Sequence, residues 1–148
     1  MDLTIGGVPI HPLLVHAAVV FIPALAVLLI IAAFRPSFRA RLGIWLPIAT
    51  TVVLFTSFFT AQSGEALEHT TEHTALLETH TELGDLMTPV MFVLTVLVWG
   101  YWFLAKRAGG TESTLGRLMF WGAALVSVAA LVLVVLIGDS GAKAVWLG

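Results

Sequence analysis

The chain has no cysteine among its 148 residues. That excludes a disulfide, a zinc–thiolate site, an iron–sulfur cluster or a covalently attached c-type haem within it, and leaves histidine and carboxylate as the strong metal ligands. Charge is scarce too: charged residues are 11% of the chain against 59% hydrophobic, and the mean hydropathy is +1.01. A water-soluble domain does not carry so apolar a composition, so the bilayer is the solvent to reason with. The H-E-x-x-H pattern is missing, as is a glycine-rich phosphate loop, and no nucleophile with a base and an orienting group can be assembled. These absences point away from an enzyme without deciding the question.

Long apolar runs are what the chain has in abundance. Charge-free stretches cover Leu3 to Phe34, Leu42 to Gly64, Leu86 to Ala105 and Leu118 to Gly138, each with at least the ~20 residues that carry a helix across a ~30 Å hydrocarbon core. The apolar residues run on instead of alternating, so helices are expected and not the strands of a barrel. The expected fold class is all-α: an integral membrane four-helix bundle, one domain over 1–148, with helices at about 11–34, 42–64, 71–106 and 114–138. The start MDLTIGG lacks the basic region and cleavage site of a signal peptide, so the first run reads as a retained span. Arg35, Arg39, Arg41, Lys106, Arg107 and Arg117 fall in the connections after the first and third helices, and Lys143 alone falls on the other side. By the positive-inside rule, both termini are expected on the outer, periplasmic side of a bacterial cytoplasmic (inner) membrane.

The polar connection from Glu65 to Asp85 holds three of the five histidines and six of the nine acids. On a helix His69, His73 and His80 share a narrow arc, and Leu76, Leu77, Leu83 and Gly84 lie three and four positions from His80, which places His80 on the inward side. His11 followed by Pro12 fits a helix N-cap. His16 lies about 140° around the helix from His11, so one straight helix does not bring both to one ion. Pro23 is expected to kink the first helix. Thr50, Thr51, Thr56, Ser57, Thr60 and Ser63 read as packing groups that let helices approach and hydrogen-bond in lipid. Trp99, Tyr101 and Trp102 read as an aromatic belt near the inner face.

Three stretches, HPLLVH (His11 to His16), LLETHTELG (Leu76 to Gly84) and GDSGAKAVW (Gly138 to Trp146), make the chain resemble the bacterial membrane-protein family known as domain of unknown function 2231 over nearly its whole length. The resemblance implies a four-helix membrane module. Some members are fused to Rieske or cytochrome c domains, which suggests redox work. It singles out His11, His16 and His80.

An ionisable side chain within a membrane span is costly and marks a functional site by default, and three readings stand open. In the first, the chain is a cofactor-binding redox module: His16 and His80, on facing helices, hold a b-type haem, and Gly84 one turn on leaves room for the flat ring. In the second, a divalent transition metal ion (copper, zinc, nickel or iron) is bound for sensing or handling. His69 and His73 at i, i+4 would be its centre, with His11, Glu65, Glu72 and Asp139 as further ligands. In the third, the protein is a non-catalytic membrane scaffold or complex subunit whose histidines and hydroxyls serve packing. The expected partners are the lipid bilayer and either a redox partner protein or further copies of the chain; nucleic acid is not among them, because the basic residues are confined to two short connections.

Overall fold

The computed structural model describes residues 4–5, 8–68 and 74–147. A two-residue hairpin, β1 (Thr4–Ile5) against β2 (Val8–Pro9), leads into five helices: α1 (Ile10–Phe34), α2 (Pro36–Leu42), α3 (Trp45–Glu68), α4 (Ala75–Arg107) and α5 (Thr114–Leu147). Four of them, all but α2, are long and apolar enough to cross a membrane. In hydrocarbon every backbone amide must find its partner within the span, and a continuous helix does so without help from neighbours. The protein is therefore an all-α, multi-pass membrane bundle, as its apolar runs imply.

Elements differ from the sequence expectation in several places. The short α2 fills the first connection, and α3 runs Trp45–Glu68 instead of 42–64. The start of α4 and the end of α5 also move, these two with side chains that account for them. Thr74 caps α4, its hydroxyl accepting from the amide of Leu77 at 3.2 Å, so the described helix begins at Ala75 and not near residue 71. At the other end α5 does not stop at Gly138 but continues to Leu147. The tail contains no proline to halt it, and Asp139 and Lys143 form an ion pair of 2.6 Å at i, i+4 along it.

The spans form a ring in which α1 packs on α3 and α5, and α4 packs on α3 and α5. Its centre is filled by Leu29, Met91, Leu94, Val98, Phe120 and Ala130, none of them exposed. Large apolar side chains such as Phe21, Phe55, Phe92 and Leu125 point outward instead, the arrangement expected where lipid replaces water around the bundle. Hydroxyls stitch neighbouring helices: Thr95 donates to the Thr50 carbonyl at 3.2 Å, Thr60 to that of Leu14 at 3.4 Å, and the Trp99 indole to Thr51 at 3.0 Å.

At the end of the bundle where α1 meets α2, Arg39 is 2% exposed. Its guanidinium donates to the Tyr101 hydroxyl at 3.1 Å, to the Ala32 carbonyl at 3.2 Å and to the Glu112 carboxylate, and lies 4.5 Å from the centre of the Phe120 ring. Tyr101 in turn donates to Glu112 at 3.1 Å. One sequence reading is corrected here: Tyr101, 8% exposed, is part of this buried network and not of an interfacial belt.

Candidate functional site

The up-and-down path of the spans brings the start of α1, the end of α3, the start of α4 and the end of α5 to one end of the bundle, opposite Arg39. Between them lies a cavity of about 500 Å³. Its walls are mostly apolar, with Val15 and Ile22 from α1, Met87 from α4 and Ile137 from α5, and Glu65 and Asp85 stand exposed at its rim. His11 and His80 both line it.

Each of these imidazoles is fixed by a serine–glycine pair on a neighbouring helix. His11 Nδ1 lies 3.0 Å from Ser63 Oγ. The Ser63 hydroxyl itself donates to the Thr60 carbonyl at 2.8 Å, so its oxygen is the acceptor and Nδ1 carries the proton. His80 Nδ1 lies 3.1 Å from the Ile137 carbonyl and 3.2 Å from Ser140 Oγ. A carbonyl can only accept, so here too Nδ1 is the donor. The glycine after each serine makes room for the ring: a Cβ on Gly64 would stand 3.0 Å from His11 Cε1, and one on Gly141 would stand 2.9 Å from His80 Cε1. With Nδ1 engaged in this way, Nε2 is the ring nitrogen left for another partner.

Set against these two, the other sequence-selected residues scatter. His16 is exposed, and its Nδ1 bonds the Pro12 carbonyl of its own helix at 2.6 Å. It does not converge with His80. The 140° that separates it from His11 explains why: once His11 faces the bundle, His16 must face away. His11 is no N-cap either, since α1 already includes Ile10. Gly84 lines the cavity, with open space where a side chain would be. Asp139 is exposed and paired with Lys143, and Glu65 is exposed at the rim. His69, Glu72 and His73 lie outside the described residues.

The haem and metal readings are corrected by this geometry. Among the described residues no group of three or more histidine, cysteine, aspartate or glutamate side chains stands close enough to hold a metal ion. The proposed axial pair is divided between the outside of α1 and the inside of α4, so the bis-histidine haem and the electron transfer inferred from it do not stand, and among the described residues there is no histidine cluster or metal-binding site. Sequence reasoning passed over Ser140, and gave Ser57 and Ser63 only the general role of packing groups, which the bond of Ser63 to His11 bears out. A serine before glycine near the close of α3 and of α5 was the available signal for the pairing with histidine; Ser57 carried none.

No curated protein and no solved structure matches the chain at a significant level. A family does: residues 7–148 match the family described as "Predicted membrane protein (DUF2231)". With four spanning helices over the same length, the chain belongs to that family of membrane proteins.

Proposed function

We propose that the protein is a non-catalytic membrane scaffold or complex subunit, whose interior polar groups hold four helices in a fixed ring. The observation that carries this reading is the use of both inward histidines: each commits its one N–H to the helix beside it and packs on a glycine there. Interhelical hydrogen bonds of this kind are worth about 0.6 kcal/mol and up to about 1.7 kcal/mol in lipid. As a subunit it would present its lipid-facing sides to a second copy or to another membrane protein. We place both termini and the cavity on the periplasmic side of a bacterial inner membrane, supported by the exposed Arg35, Arg41, Lys106, Arg107 and Arg117 at the far end.

Thermal unfolding in detergent tests the structural role. Asparagine reproduces the imidazole Nδ1–H and lacks Nε2, so His11→Asn and His80→Asn should keep the melting temperature within a degree or two. His11→Ala and His80→Ala should each lower it by several degrees, about 1 kcal/mol apiece. His16→Ala should leave it unchanged. Alanine variants as stable as the parent would overturn the reading.

A further inference from the structure

We propose that the cavity at the histidine end binds an uncharged lipophile whose head donates hydroxyl hydrogen bonds, such as a phenol or a glycerol carried on an apolar body. The inference goes beyond the scaffold reading but uses the same two histidine bonds.

The volume, about 500 Å³, lies within the ~300–1,000 Å³ typical of small-molecule sites, and so does the combination of apolar walls with a few convergent polar groups. The polar groups are unevenly matched. His11 and His80 contribute two Nε2 acceptors, and Glu65 and Asp85 add carboxylates at the rim. Of the threonines on the cavity wall, Thr60 and Thr81 have spent their hydrogens, on the Thr56 carbonyl at 2.7 Å and the Leu77 carbonyl at 2.9 Å, while Thr74 accepts from the Leu77 amide. Among the described residues on this wall one buried hydroxyl has no partner at all. Ser57, 3% exposed, lines the cavity with its oxygen buried and no partner, whereas Thr56, Thr60 and Ser63 on the same helix each bond a carbonyl three or four residues back. A buried hydroxyl without a partner costs about 1–3 kcal/mol, a cost a ligand can remove.

A hydroxyl on the occupant serves both sides of this set, since it can donate to an imidazole nitrogen and accept from Ser57. An acceptor-only head, such as an ether or ester, would leave the two imidazole nitrogens unpaired. A phosphate or carboxylate head would meet Glu65 and Asp85, and among the described residues no lysine or arginine lines the cavity to offset them. An ammonium could donate to the same nitrogens, but its carboxylate partners stand at the rim, and deeper in its charge would be carried out of water between aliphatic walls, which is costly.

The test uses the full chain in nanodiscs of dioleoyl phosphatidylcholine, whose headgroup has no hydrogen-bond donor, with protein-free discs as the partition blank. Calorimetric titration with 4-octylphenol should give saturable one-to-one binding, at least about tenfold tighter than its methyl ether 4-octylanisole, which is larger by one methyl group and has no donor. One of His11→Asn and His80→Asn, the one that removes the nitrogen taking the phenolic hydrogen, should weaken the phenol by about three- to tenfold and leave the ether unchanged, while Ser57→Ala, whose hydroxyl donates to either oxygen, should weaken both ligands. 1,2-Dioctanoylglycerol distinguishes the sources of the hydroxyl: binding tighter than the phenol assigns the site to a glycerolipid, and weaker binding assigns it to a phenolic lipophile. Equal affinity for phenol and ether, tighter binding of octylamine than of the phenol, or no saturable binding would overturn the proposal. If His80→Asn unfolds, the assignment of its Nδ1 bond fails, and Ser57→Ala, which breaks no bond, still decides the site.

Discussion

Arg39 shows how much one side chain can carry when the surroundings are apolar. Its guanidinium meets a carboxylate, a phenol, a backbone carbonyl and the face of Phe120 at once, a set of contacts suited to a planar fork and not to an ammonium. Removing one partner of a buried ion pair strands the other, at about 3–5 kcal/mol; with Glu112 29% exposed the lower figure applies. Arg39→Ala should therefore cost about 3 kcal/mol in denaturant unfolding of the detergent-solubilised protein, and Arg39→Lys should recover less than half of it. A lysine variant as stable as the parent would show that charge alone matters. Nothing in the local sequence marks Arg39 off from Arg35 or Arg41, because its side-chain partners come from α4, from the connection after it and from α5. The histidines were legible in part. The leucines around His80 give its inward direction, whereas the choice between His11 and His16 turned on which face of α1 meets the bundle, and apolar residues on every side of that helix hide the face.

Helix pairs in lipid depend on how closely two backbones can approach, and Gly141 is where α5 admits the ring of His80. Two opposing terms decide what an alanine does there. Glycine to alanine favours a helix interior by about 1 kcal/mol. Overpacking a filled site costs about 1–3 kcal/mol, and here the imidazole cannot give way without losing the Ile137 carbonyl. Gly141→Ala should thus be neutral to destabilising, by up to about 2 kcal/mol, in the parent and stabilising by up to about 1 kcal/mol on a His80→Ala background, while Gly138→Ala, with open space around it, should stabilise in both. A double-mutant cycle from urea or detergent unfolding reads this coupling directly. Independence of the two sites would remove the ring–glycine contact from the account. At this scale the four spans could be read from uninterrupted apolar runs. The length of α5 could not, because Gly138 reads as a stop until its neighbours are known.

The whole molecule repeats one device. In the hairpin of α1 and α3, and again in that of α4 and α5, a histidine near the start of the first helix bonds a serine near the close of the second and packs on the glycine that follows. The two hairpins close the ring at one end around the cavity, while Arg39 and Glu112 tie the connections at the other. Charge distinguishes those ends, and so bears on how the bundle sits in a membrane. Near the arginine end Arg35, Arg41, Lys106, Arg107 and Arg117 are all exposed, whereas Lys143 at the cavity end is held by Asp139. By the positive-inside rule such a bias supports the proposed orientation, in which the basic end is cytoplasmic. Because the chain has no cysteine, single cysteines can be introduced without altering any native thiol. Asp139→Cys, exposed at the cavity end, should react with a membrane-impermeant maleimide in intact cells, and Thr111→Cys, exposed in the connection between α4 and α5, only after the membrane is permeabilised. Labelling of Thr111→Cys in intact cells with protection of Asp139→Cys would invert the bundle and put the cavity on the cytoplasmic side. A lipophile would then have to reach it from the inner leaflet.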